Sequence, residues 1–452
     1  MFHRFTFILT TIILFNTVVP AWAADKPSLI RDTEVESTIR TYAAPLFNAA
    51  GLNTQAVEIY IVNDETRNAF VTNGQKIFIN SGLILNADNV NQIIGIIAHE
   101  TGHIAGGHLT HLSNALSRVS ATSILSVILG GAATAATNKS NLGAAIIAGG
   151  QAVAQRSFLK YSRVQEAAAD IAALRLLDQT GQSARGMLEF LKSLGEQELL
   201  SRAQQNPYVR SHPLTRDRIA TIAHHVSKSP NSNKQTPAKL LDMHQRIKAK
   251  LHAFIKPMEQ TLRVYKGGNK SIYNRYARAI VYFRQRNLNK ALPILDTLIT
   301  EEPSNAFFHE LKGQILFENA KLKKSLASYM KAAKLLPESA LVRRDLARVQ
   351  IEMNDPNFLD RAIKNLNVSV TIEPRSAFNW HLLAIAHGRK GNIGQSSIAL
   401  AEEALLKGKH EIATFHARRV QKLFSQGERE WMIAEDIRLA AKELSSTQRR
   451  NK

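Results

Sequence analysis

Two histidines four residues apart, with a carboxylate directly after the first, stand in the stretch Ile97-Ala98-His99-Glu100-Thr101-Gly102-His103. Positions i and i+4 lie about 40° apart around an α-helix, so two imidazoles at this spacing can reach one metal ion. Glu100 is then placed to take a proton from a water that the metal activates. H-E-x-x-H in an apolar, helix-like run is the local apparatus of zinc-dependent peptide hydrolysis. Such chemistry needs a third protein ligand and a fourth position left for water.

The search for that third ligand first excludes a common extension. H-E-x-x-H-x-x-G-x-x-H would require histidine at position 109, where the chain has Leu109, although Gly106 fits. On a straight helix His108 points about 180° and His111 about 120° away from His99, which suits supporting, surface or capping roles. Glu166 is the better candidate: it lies on a separate helical pattern, Arg156 to Leu177, with Asp170 on the same face one turn later. Taken alone, these two carboxylates would be expected to pair with Arg163 or Arg175 on the surface. Beside H-E-x-x-H they become candidates for the centre, and the alanines between them leave room for close helix packing.

Other elements must position these groups. Val57 to Val62 and Lys76 to Asn80 alternate like strands, with a turn at Thr72-Asn73-Gly74, and Asp88 to Gly107 has helical periodicity. The edge near Lys76 to Asn80 is expected to receive a peptide as an added strand. Residues 24 to about 56 read as helical, with Asp32 and Thr33 as start signals. Val119 to Val153 is nearly free of charge and reads as a buried helical hairpin or as a surface for a membrane or an apolar client. Ser227 to Pro237 reads as a linker, followed by a basic helical segment from Ala238 to about Leu262.

From about Tyr273 the pattern repeats. Pro303, Pro337 and Pro374 close units 34 and 37 residues apart, the longer one carrying three extra residues near Asn354-Asp355-Pro356. Ala291, Ser325, Ala362 and Ser396 occupy the small-residue position of a tetratricopeptide template, and Tyr282, Gly313, Tyr329, Ala332 and Trp380 also fit it. Stacked helix pairs of this kind share one core and leave a concave binding surface.

Composition sets the outer bounds. The 452 residues suffice for two or three domains, and the absence of cysteine excludes disulfides, thiolate metal sites and cysteine nucleophiles. His3 and Arg4, the apolar run Phe5 to Val19, and Ala21-Trp22-Ala23 read as a secretory signal cleaved after Ala23. The formal net charge of +21 favours anionic surfaces. For an exported protein that leaves either a solvated, repulsive coat or peripheral contact with an anionic membrane, rather than nucleic acid.

The strings Asn68-Ala69-Phe70, Ile77-Phe78-Ile79-Asn80-Ser81-Gly82-Leu83, His99-Glu100-x-x-His103 and Ser162-Arg163-x-x-Glu166-x-x-x-Asp170 together resemble the M48 zinc metallopeptidases. The resemblance implies one zinc ion per chain held by His99, His103 and Glu166, with Glu100 as general base and Asp170 as a second catalytic carboxylate. His212, in Ser211-His212-Pro213-Leu214-Thr215-Arg216, matches a further stretch of the family, where a loop histidine can approach the metal and block its open position; it also reads as an ordinary helix-start residue. Export combined with repeats resembles the periplasmic branch of the family and implies outer-membrane proteins, with their β-barrel assembly machinery, as clients.

The expected fold is mainly α (α+β): a signal peptide (1–23), a zincin-like metallopeptidase domain with a small β-sheet (24–226), a linker and connecting helix (227–272), and an α-solenoid of tetratricopeptide repeats (273–445). The competing expectation is a non-enzymatic repeat scaffold or chaperone with a structural zinc site, which would fill all four coordination positions with protein ligands.

Overall fold

The computed structural model describes residues 28–72, 75–108, 162–195 and 205–450. The signal sequence, the turn at Asn73-Gly74, Leu109, His111 and the apolar stretch 119–153 lie outside the described residues.

The N-terminal unit begins with strand β1 (Ser28–Ile30) and helix α1 (Thr33–Ala49). Asp32 caps α1, its carboxylate accepting from the Val35 amide at 3.0 Å, as the sequence signal anticipates. Strands β2 (Glu58–Asn63), β3 (Ala69–Thr72) and β4 (Lys76–Asn80) complete a four-stranded sheet in the order β1-β2-β4-β3. β2 and β4 run parallel, while β1 and β3 pair antiparallel on the outside. This corrects one expectation: β4 is an interior strand with both edges paired, so Lys76 to Asn80 offers no edge to a peptide. The edge beside the helical layer belongs to β3.

The strands alternate between two faces. Ile61, Ala69, Val71, Ile77 and Ile79 point into a core shared with α1 and with the next helices, α2 (Ser81–Asn86) and α3 (Val90–Ala105). On the other face Tyr60, Phe78 and Phe70 stack across the three strands, with centroids 5.0 and 5.2 Å apart.

A helix over residues 162–179 (α4), then α5 (Arg185–Leu194), α6 (Pro207–Ser211) and α7 (Arg216–Lys228), close the layer over α3. Two glycines of α3 permit this closeness. A Cβ on Gly102 would stand 2.7 Å from the Ala169 carbonyl oxygen of α4, and one on Gly95 would stand 2.6 Å from Met187 Cβ of α5.

The segment after α7 is held against this unit: Ser183 donates to the Ser232 carbonyl, and Asn91 donates to Thr236 Oγ1. The connecting segment is two helices, α8 (Ala238–Ile255) and α9 (Met258–Val264), broken at Pro257. Ile247 and Leu251 of α8 belong to the core of the N-terminal unit, whereas Ala249 and Ala253 join that of the first repeat.

The repeats are stacked helix pairs: α10 (Ile272–Arg284) with α11 (Leu288–Glu301), α12 (Ala306–Glu318) with α13 (Leu322–Leu335), α14 (Ala340–Glu352) with α15 (Leu359–Ile372), α16 (Ala377–Arg389) with α17 (Ile393–Leu406), and α18 (His410–Leu423) with α19 (Arg429–Arg450). The three-residue insertion forms the 3-10 turn Pro356–Phe358. At the small-residue position Ser325 and Ser396 donate to the Gly313 and Ala384 carbonyls of the partner helix, at 2.8 and 2.9 Å. Among the described residues, no helix is long and apolar enough to cross a membrane.

Candidate metal centre

α3 carries His99, Glu100 and His103 inward because Ile93, Ile94, Ile96 and Ile97 bury its neighbouring faces. Asn89 caps its start, its side chain accepting from the Gln92 amide. The helix stops at Ala105, and Gly107, at φ 62°, turns the chain back. His108 is consequently not on the far side of a straight helix: its Nδ1 lies 3.0 Å from His103 Nδ1, and it supports the ligand's other ring nitrogen.

Glu166 arrives from α4 across the contact that Gly102 makes possible. His212 arrives from the loop between α6 and α7, where its amide donates to the Tyr208 carbonyl at 2.7 Å and its ring stacks on Tyr208 at 4.6 Å. His99 Nε2 lies 3.1 Å from His103 Nε2, 3.4 Å from His212 Nδ1 and 3.3 Å from Glu166 Oε2. Glu166 Oε1 lies 3.3 Å from His103 Nε2 and from His212 Nδ1. Four ligand atoms about 2.0–2.1 Å from one zinc ion stand roughly 3.3–3.4 Å apart at the corners of a tetrahedron. The four buried side chains thus have the chemistry and the spacing of a tetrahedral metal site.

Around the cluster stand groups that orient it. Asp170 Oδ1 is 2.9 Å from His99 Nδ1, on the side of the ring away from the cluster. Arg218 donates to both oxygens of Asp170, at 2.6 and 2.9 Å, and to the Pro213 carbonyl at 2.8 Å, and its Nη1 lies 2.9 Å from Glu166 Oε2. The carboxylates therefore pair with Arg218, and neither Arg163 nor Arg175 takes that role. The sequence carries a signal for this: Arg218, Ile222 and Val226 form the buried stripe of α7, and a cation in an apolar stripe requires a buried anion.

Glu100 is fully buried, with no hydrogen-bond partner for either carboxylate oxygen. His212 Nε2 lies 3.4 Å from its Oε1. The His212 ring thus lies between Glu100 and the ligand cluster.

Burial opposes every charge here, and the partners decide each outcome. Burial pushes the Glu100 carboxyl up, against the pull of His212 and His99. Glu166 is held well below the carboxylate range despite its burial, because His212, His103 and His99 surround it. Asp170 is likewise held down against burial by His99 and Arg218. Burial drives His103 down to about 3, so it is neutral, as a metal ligand must be. Burial disfavours charge on His99 too, but Asp170 and Glu166 outweigh it and raise the ring to about 10; metal binding would displace that proton.

Residues 30–226 match the model of peptidase family M48. Over that stretch, the N-terminal unit, the chain is similar to that family. Two relatives extend the likeness beyond the matched residues. The beta-barrel assembly-enhancing protease of Yersinia pestis is 24% identical over 386 residues, spanning 84% of this chain and 78% of its own. The protein of the same name from Escherichia coli is 21% identical over 398 residues, spanning 84% of this chain and 77% of its own. Of the residues that the sequence motifs single out, His99, His103, Glu166 and His212 converge. Asp170 lies outside the cluster, against His99, and Arg218 and Tyr208 are the neighbours that sequence reasoning missed.

Proposed function

We propose that this chain is an exported zinc-dependent endopeptidase of the periplasm that cleaves misfolded or stalled outer-membrane proteins, its repeats holding clients while the metal centre cuts them. The reading takes residues 24–226 as the peptidase, 227–272 as the connection and 273–445 as the client-binding array. The names of the relatives support the client class, together with their β-barrel assembly machinery as a partner. The high positive charge supports peripheral contact with an anionic membrane.

The observation that carries the chemistry is the convergence of three histidines and one carboxylate beside a buried glutamate that no donor satisfies. His99, His103 and Glu166 hold the ion. Zinc bound there supplies a Lewis acid that polarises the scissile carbonyl and makes water a nucleophile near neutral pH. Glu100 takes the proton of the attacking water and returns it to the leaving amine, a task that its raised pKa suits. Asp170 fixes the His99 ring through Nδ1, and Arg218 fixes Asp170, so both act as positioning residues. The β3 edge receives the peptide backbone.

His212 gates this chemistry. Its ring holds the fourth ligand corner and the space that the attacking water needs beside Glu100, so the loop between α6 and α7 must withdraw before turnover. The same four-ligand arrangement favours the competing reading of a structural zinc site in a non-enzymatic scaffold. Glu100 separates them, since a structural site has no use for a buried, unsatisfied carboxylate. Glu100→Gln is expected to retain stoichiometric zinc and to lose cleavage of an unfolded outer-membrane protein, as chelation does to the parent. Appreciable turnover by Glu100→Gln would remove Glu100 from the mechanism. A parent that holds zinc yet cleaves nothing, even with His212 replaced, would support the scaffold.

A further inference from the structure

The last helix pair carries a surface that the peptidase chemistry does not use. α18 and α19 enclose a groove of about 770 Å³. Its α18 wall presents Phe415, Arg418, Arg419 and Lys422, and its α19 wall presents Arg438 and Lys442. Phe415, Arg418 and Lys422 fall at i, i+3 and i+7, one face of the helix, and Arg438 and Lys442 at i and i+4 line the opposite wall. Five cations thus face a single lining carboxylate, Glu411.

Among the described residues Arg418, Arg419, Lys422 and Lys442 form no ion pair, and only Arg438 has an anion, Glu435. Phe415 is 64% exposed beside them. Gathering like charges around a bare aromatic ring costs repulsion and apolar hydration at once, unless a partner of opposite charge covers both.

We propose that this groove docks an acidic peptide segment of a partner protein, with an aromatic or leucine side chain packed on Phe415 and its carboxylates bridging the two cationic walls. Concavity decides the occupant. A lipid surface is broad and flat and meets only the crests of the helices, whereas an extended peptide enters a cleft of this size, which lies within the roughly 300–1,000 Å³ of ligand-binding pockets. An aromatic anchor rimmed by charge is also how peptide interfaces concentrate their energy. The groove lies on the terminal helix pair, so its occupant need not be a substrate, and the proposal stands apart from the chemistry of the metal centre.

The full chain is titrated against a fluorescein-labelled peptide of alternating Asp, Glu and Phe, read by anisotropy at low and high salt. A Lys-for-acid version of the peptide and phosphatidylglycerol vesicles serve as comparators. The acidic peptide is expected to bind, more weakly at high salt, and the basic version not to bind. Arg418→Glu with Lys422→Glu, and separately Phe415→Ala, are each expected to weaken binding by about tenfold or more. All three sites are exposed, so the thermal melt and the zinc content are expected to stay at the parental level. Affinity unchanged in both variants overturns the proposal. So does a chain that sediments with the vesicles through Arg418 and Lys422 while ignoring the peptide, which would make this face a lipid contact.

Discussion

In the proposed mechanism, the reactivity of the centre turns on His212. Its Nδ1 shares the cluster with His99 and Glu166 while its Nε2 faces Glu100, so in the proposed mechanism one imidazole would fill the open coordination position and the base's working space. His212→Ala is therefore expected to raise basal peptidase activity severalfold while weakening zinc retention, since one of four ligands is lost. Release of a quenched peptide and zinc content after dialysis measure the two effects. An unchanged or lower rate in a folded, zinc-loaded variant would show that the ring does not block the site. The sequence exposed this site unevenly. His99, Glu100 and His103 are legible because a single helical turn brings them together, whereas Glu166 and His212 need tertiary contacts that no local spacing encodes: Glu166 emerges only as a carboxylate on a separate helical pattern that could complete the set, and the resemblance to M48 enzymes is what points to His212. Arg218 went unread because its role exists only once α7 lies against α4, although its place in the stripe with Ile222 and Val226 marked it as a buried cation.

At the scale of elements, the centre depends on how closely α3 and α4 approach. Gly102 sits inside H-E-x-x-H, and a methyl group there would meet the Ala169 carbonyl oxygen at 2.7 Å, with Ala169 Cα and Ala172 Cβ at 3.2 Å. Those atoms are helix backbone and a packed side chain, so the clash resolves only by separating the helices. Gly102→Ala is expected to destabilise the protein by about 1–3 kcal/mol and to lower zinc affinity, because Glu166 moves away from His99 and His103. A urea melt and a competitive zinc titration read the two losses; an unchanged affinity would mean that the helix spacing does not set the ligand geometry. The same scale explains which strands the sequence revealed. β2 and β4 have enough alternating apolar residues to be seen, while β1 has three residues and β3 four, too few for a period to emerge. Missing those two made interior β4 look like an edge. The helix pairs of the repeats were legible for the opposite reason, since a pattern recurring every 34 residues accumulates signal that a single short strand cannot.

For the molecule as a whole, the critical contact is the seam where the start of α1 meets α8 and the repeats. Lys250 of α8 lies 2.8 Å from Asp32 Oδ2 and 3.3 Å from Glu34 Oε2, and Tyr276 of α10 donates to Glu34 at 2.7 Å. From α12, Glu310 reaches back to the Thr33 hydroxyl, and Arg344, Asp345 and Arg348 of α14 line the same cavity. Burial pushes Glu310 up to about 8, with Asp32 adding to the rise and Lys250 opposing it. Burial raises Glu34 as well. A carboxyl whose folded pKa lies above its unfolded value binds more protons folded than unfolded, so its contribution to stability falls as pH rises between the two values. For Glu310 that window runs from the ordinary glutamate range near 4.5 up to about 8. Glu166 and Asp170, held low by their partners, change stability only at lower pH, so they leave this window clear. The denaturation midpoint of the parent is therefore expected to fall between pH 5 and 8 relative to Glu310→Gln, which keeps the seam's shape without its proton. Hydrogen-exchange protection along α8 and α12, corrected for the intrinsic pH dependence of amide exchange, should fall over the same window in the parent and fall less in the variant. Parallel pH profiles for the two proteins would mean that Glu310 stays ionised in the folded chain, and that the contact between peptidase unit and repeats does not respond to pH through this residue.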